Sequence, residues 1–242
     1  SRQNVMFFRH QINHDFERGE AFGANLRGTI PNSVTGEFFK GLTTGTTREE
    51  GYFWFQQGDG QANRLVITEA PIDAISYAAL NPTSGTTIFL STDGQGVIPT
   101  QVLQQVLDRG GEIVLAHDHD RQGERMAWQV AQQFPQALLT RETPATGKDW
   151  NEQLLGKEVA LDSRQEGTDK LWKWYGVAAE QERSQIIQTG LDVNAAHKPR
   201  ELTPEEITAM EQALSQELQP SLPAAENSLA IAAEILRIAE QA

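Results

Sequence analysis

The chain has 242 residues, room for one large domain or two small ones, and its 38% apolar content is ordinary for a soluble globular protein. With no cysteine, disulfides are excluded, and only five histidines argue against a structural zinc site. The formal charge of −13 argues against a nucleic-acid surface built on bulk positive charge.

That charge is uneven. Residues 1–64 carry seven basic and seven acidic side chains, 65–157 six and eleven, and 158–242 seven and fifteen, so the acidity lies mostly toward the end. No run is long enough to span a membrane and residues 1–10 lack a secretory apolar core, so a cytoplasmic protein is the expectation. A start at Ser1 without methionine is expected of a piece of something longer.

Residues 1–64 are rich in glycine and phenylalanine, with apolar bursts at 5–8, 37–39 and 52–55 between turn residues. They predict short strands in a small α+β subdomain. Phenylalanines there can stack on bases, but half-buried strands need them for packing, and none is assigned to a site.

From residue 64 the pattern becomes strand and helix in alternation. A strand at 65–68 ends at Glu69; Pro71 suits a first helical position, and Ile72, Ile75, Ala79 and Leu80 recur at helical spacing until Asn81-Pro82 stops them. A strand at 86–90, a glycine turn at 93–96 and a helix at 99–107 follow. After Gly110-Gly111 come a strand at 113–116, a helix at 121–134 and a short strand at 137–140. This alternation predicts a mostly parallel sheet covered by helices on both faces, the α/β class.

The strand at 113–116 runs into His117-Asp118-His119-Asp120, with Gly123 three residues on. If the extended backbone persists, Asp118 and Asp120 leave one face and can share a cation. Crowding two carboxylates is costly without a counter-charge, and oxygen-only ligands favour magnesium or manganese over zinc. Alternatively the same aspartates cap the helix that starts near Arg121. Ligands of such sheets sit beyond the carboxyl ends of the strands, where Glu69 and the aspartate pair both fall, and this favours the metal reading. Asp73, four residues after Glu69, either faces the same crevice or decorates its helix's first turn.

These residues carry a resemblance. Glu69 with Asp73, then Asp118, Asp120 and Gly123 after the later strand, resemble the topoisomerase-primase (Toprim) domain. Residues 118–127 are similar to the aspartate motif of bacterial primases and the helix after it, and Gly147-Lys148-Asp149 resembles their lysine-aspartate motif. The match covers about residues 65–155. Residues 1–64 loosely resemble the subdomain before Toprim in primases, and the whole is similar to Toprim proteins of plasmids and mobile elements, primase-like or joined to relaxases. Ala70 departs from the glycine that commonly follows the motif glutamate, and histidines flank both aspartates.

The resemblance implies a small α+β subdomain at 1–64, a Toprim domain at 65–157 and a helical tail at 158–242. It implies magnesium- or manganese-dependent nucleotidyl transfer in DNA replication or plasmid mobilisation, with Asp118 and Asp120 holding metal and Glu69 as ligand or general acid/base. Asp73 is a further candidate ligand, and Arg121, Arg125 and Lys148 are candidates for triphosphate or backbone phosphate. The partners implied are a single-stranded DNA template, nucleoside triphosphates and a helicase or relaxase domain. Alternatives are a Toprim nuclease or a non-catalytic recruitment module. Topoisomerase activity is disfavoured, because Tyr52, Tyr77 and Tyr175 sit in runs that read as structural. In the tail, Leu171, Trp172, Tyr175 and Ala179 recur at helical spacing, residues 203–206 form a capping box, and 228–239 is an amphipathic run set apart by prolines at 220 and 223.

Overall fold

The computed structural model describes residues 3–13, 15–48, 51–94, 97–157 and 163–195. The capping box at 203–206, the run at 228–239, the prolines between them and part of the glycine turn at 93–96 lie outside the described residues. The chain divides into two compact units, one of Ser1–Asp118 with Leu139–Glu158, the other of His119–Leu138 with Val159–Ala242.

The first unit opens with an antiparallel sheet of β1 (Asn4–Ile12), β2 (Arg18–Pro31) and β3 (Phe38–Leu42). The 14-residue β2 has no apolar burst to announce it, because much of its length faces solvent. In β1, Phe7 and Arg9 point one way, Met6 and Phe8 the other. Phe7 meets Phe53 edge-on at 5.4 Å, whereas Phe8, Phe38 and Phe39 stay exposed, so packing accounts for only part of the phenylalanine content.

β4 (Phe53–Gln57), β5 (Arg64–Thr68), β6 (Thr87–Ser91), β7 (Glu112–Leu115) and β8 (Leu139–Arg141) make a second, five-stranded sheet in the order β4-β6-β5-β7-β8. Only β4 runs antiparallel to its neighbour; the other pairs are parallel, as the alternating pattern requires. Helix α1 (Pro71–Leu80) and the one-turn α4 (Trp150–Leu154) lie on the face of Val66, Phe89 and Val114, where Ala74, Tyr77 and Trp150 complete a core. Alternation turns Leu65, Ile67, Ile113 and Leu115 to the other face, and α2 (Thr100–Asp108) packs on β5 and β7 there through Val102, Leu103 and Val106. With helices on both faces the inner strands are buried except at the first residues of β5 and β7, hence their continuous apolar runs.

Chain order within the sheet places the site. β5 sits between β6 and β7, so successive crossovers leave it in opposite directions and open a crevice beyond its carboxyl end. Glu69 follows β5 directly.

Among the described residues the second unit comprises α3 (Arg121–Gln133), α5 (Ser163–Val177) and α6 (Glu180–Ala195). Trp128 of α3 stacks on Trp172 of α5 at 3.7 Å with the rings 10° apart, and Tyr175 closes the cluster edge-on. The Trp172 indole donates to Glu124 Oε2 at 2.8 Å, so the buried carboxylate has a partner. α6 reaches Trp128 through Gly190, where a Cβ would lie 2.3 Å from the indole ring. Among the described residues no helix is long and apolar enough to cross a membrane.

Candidate functional site

Pro71 begins α1 immediately after the Glu69-Ala70 corner, where its missing N–H costs nothing, and the first turn carries Asp73 inward. Asp73 is only 4% exposed. Burial raises its pKa to about 7, helped by the negative charges of Asp149 and Glu69 and opposed by the Asn151 N–H and by Arg27. The Asn151 bond is 3.3 Å long. Asp73 is therefore buried against Asn151 rather than exposed on the surface of its helix. Arg27, on the β2 face that also carries Asn25, supplies the nearest positive field; burial lowers its pKa while Asp73 and Glu69 push it back up. The Glu69 carbonyl accepts from Gly94 N–H at 3.0 Å and Ser91 Oγ at 3.2 Å, which fixes the backbone at the crevice floor.

The β7 strand ends at Leu115, three residues before Asp118, so strand pairing does not carry the extended backbone to the aspartates. Ala116 N–H still bonds Ile67 O at 2.8 Å, and the Trp150 indole donates to Ala116 O at 2.8 Å. Arg141, at the end of β8, donates to the carbonyls of Leu115, His117 and Asp118, each at 2.9 Å. Asp118 is buried, and Lys148 Nζ lies 3.5 Å from its Oδ2. His117 is buried beside them; burial, then the Arg141 charge, lowers its pKa to about 3, so it is neutral at neutral pH.

Residues 147–151 tie these groups together. Gly147 has φ +77°, and a Cβ there would come within 2.8 Å of Glu152 Cβ, so glycine is required. Asp149 then caps α4, accepting from Glu152 N–H at 2.7 Å, while Lys148 reaches Asp118 and Asn151 reaches Asp73.

The remaining sequence-assigned residues belong to the second unit. Asp120 is the N-cap of α3, accepting from the N–H groups of Gln122 and Gly123 at 2.9 Å each. Arg121 Nε donates to Asn194 O at 3.0 Å, and Arg125 is exposed. His119 Nε2 lies 3.2 Å from Asp169 Oδ1.

Among the described residues no three His, Cys, Asp or Glu side chains are grouped as a metal cage. The acidic set here is oxygen-only, and Asp73, whose pKa is raised first by burial, also feels the negative charges of Asp149 and Glu69, which a cation would offset. That chemistry fits magnesium, which is commonly held by one or two carboxylates, substrate phosphate and water.

Four contributors escaped sequence reading. Arg27 and Arg141 lie in strands with nothing in their spacing to distinguish them, and Asp149 was visible only as part of its motif. Asp93, with φ +57°, forms a fully buried ion pair with Arg9 and accepts from Asn25 at 2.9 Å, joining the turn after β6 to the N-terminal sheet.

A family model described as Toprim-like matches residues 66–154. A curated "65 kDa protein" of Zymomonas mobilis subsp. mobilis is 31% identical over 149 residues, 56% of this chain and 24% of that protein, so the chain spans about a quarter of the length of the relative it matches. A solved structure described as the DnaG catalytic core aligns over 99% of this chain and 73% of that one, at 16% identity and a TM-score of 0.44.

Proposed function

From the Toprim-like domain that this chain carries over residues 66–154, we propose a magnesium- or manganese-dependent nucleotidyl transfer on nucleic acid, primase-like, in replication or plasmid mobilisation. The observation that carries it is the placement of Asp73, buried within electrostatic reach of Glu69 and Asp149 beyond the carboxyl edge of β5. Burying a carboxylate in the field of two others costs stability that a cation would offset, and strongly perturbed groups of this kind are where catalytic residues are found.

In the proposed reaction Glu69, Asp73 and Asp118 would hold the divalent ion, with Asp120 a further candidate ligand on its sequence motif alone. When bound, the ion would offset charge on the transferring phosphate and ease deprotonation of an attacking 3′-hydroxyl. Glu69 would take up the hydroxyl proton as the 3′-oxygen bonds to the α-phosphorus and the α–β phosphoanhydride bond breaks, releasing pyrophosphate. Lys148, already beside Asp118, would turn to a phosphate oxygen once the carboxylate is engaged, and Arg121 and Arg125 are proposed phosphate contacts. His117, buried and neutral, would support the turn without competing for the ion. Residues 65–157 form the catalytic part of this proposal, with 1–64 as the preceding subdomain, 158–242 as a helical tail, and single-stranded template, nucleoside triphosphates and a helicase or relaxase as partners.

Calorimetric titration of magnesium and manganese tests the reading. Binding that is lost in Glu69→Gln and in Asp118→Asn combined with Asp120→Asn supports it; absence of binding with nucleotide and template present removes its basis. Primer synthesis without cleavage of added DNA then selects polymerisation, and cleavage alone selects a nuclease.

A further inference from the structure

We propose that Arg141 is a positioning residue for Asp118: its guanidinium gathers the carbonyl oxygens of the turn after β7 and so sets the direction of the Asp118 carboxylate. The proposal rests on the reading of Asp118 as a cation ligand.

β7 is an inner strand, bonded to β5 on one side and β8 on the other, and its ladder stops at Leu115. The carbonyls that follow are buried with the turn and need donors from elsewhere. Arg141 supplies those of His117 and Asp118 and adds a second bond at Leu115 O, which Glu142 N–H also reaches at 3.1 Å. Nη1 donates to Leu115 O and His117 O at 2.9 Å each and to Glu142 O at 2.7 Å, while Nη2 donates to Asp118 O at 2.9 Å. All four of these bonds go to main-chain oxygens. A planar fork can hold several carbonyls in one fixed arrangement, which the point charge of lysine cannot. With the Trp150 indole on Ala116 O, the turn from 115 to 118 has little freedom left.

The sign of the electrostatic effect separates positioning from charge. A guanidinium next to a cation ligand opposes cation binding by Coulomb repulsion, so if Arg141 acted through charge alone its removal would tighten binding. If it acts by holding the turn, removal loosens binding, and a lysine that restores the charge does not repair it.

The test is manganese titration of the full chain, well below its unfolding midpoint, with Arg141→Gln, Arg141→Lys, Asp118→Asn and Arg64→Gln. Arg64 bonds Glu142 and Tyr77 at 3.1 and 3.3 Å and serves as a control for lost arginine packing. Both Arg141 variants are expected to weaken manganese binding about 10- to 100-fold, the range for residues that orient metal ligands. Asp118→Asn should abolish binding and Arg64→Gln should leave it unchanged. Unchanged or tighter binding in folded Arg141→Gln overturns the proposal, as does wild-type affinity in Arg141→Lys, which decides the matter if Arg141→Gln does not fold. If Asp118→Asn binds as the wild type does, the ligand reading itself fails and the proposal goes with it.

Discussion

At the carboxyl edge of the five-stranded sheet, Asp73 is buried in the field of two other carboxylates and holds its proton to about pH 7. In the helical unit Trp128, Trp172 and Tyr175 are buried as deeply, but they meet as stacked and edge-on rings, and the carboxylate beside them is bonded to an indole. The first arrangement costs stability by burying a carboxylate in the field of others; the second adds stability through packed rings and a satisfied carboxylate. Substitutions should therefore move the two regions in opposite directions.

The largest effect is expected from Glu69→Gln, which keeps the shape of the crevice and removes a charge. Any metal-dependent turnover should fall by about two to three orders of magnitude with the fold intact, as read by initial rates beside a thermal melt. A rate within threefold of wild type would move the chemistry away from this edge. In the helical unit Trp172→Ala should cost about 3–5 kcal/mol in denaturant unfolding, through loss of the stacked ring and of the donor to Glu124. A loss under about 1 kcal/mol would mean that the cluster contributes little beyond its area.

Asp73→Asn should do the reverse and stabilise the metal-free chain. Because folding raises the pKa of Asp73, its protonated form contributes stability that is complete below about pH 4 and lost as pH rises to about 7. The asparagine variant should lack that slope and exceed wild type at pH 8 by on the order of 2–4 kcal/mol, while binding manganese less tightly. Equal stability across pH 4–8 would show that Asp73 is not held against its charge. The smallest change is expected from Lys157→Ala. Its ammonium lies 3.6 Å from Glu152 with half its side chain in solvent, so unfolding should shift by about 0–1 kcal/mol.

Legibility followed chemistry. The strands ending at Thr68 and Leu115 were readable because full burial demands unbroken apolar runs, and α1 because proline and an asparagine-proline pair mark its ends. β2 was not, since an exposed strand can be built from glycine, asparagine and threonine without alternation. β4 was seen as a strand, but nothing in its residues foretold that it pairs antiparallel with β6 as an edge of the larger sheet. For Asp120 the spacing allowed a cap or a ligand; the structure shows the cap of α3, and the ligand role stands as a proposal.

What the sequence by itself determined is the order of elements and the positions of the charged residues that follow them: Glu69 after one strand, Asp118 after another, the lysine-aspartate turn after a third. Local periodicity, turn chemistry and motif spacing are properties of neighbours along the chain, and they survive without any knowledge of the fold. Tertiary structure alone decided which distant groups share a field. Arg27 reaches Asp73 and Glu69 from another sheet, Asp149 raises the pKa of Asp73 from 76 residues away, and Arg141 holds the carbonyls around Asp118. Electrostatic and hydrogen-bonding partners are chosen by distance in space and by how much water is excluded between them, and neither quantity is written in sequence separation.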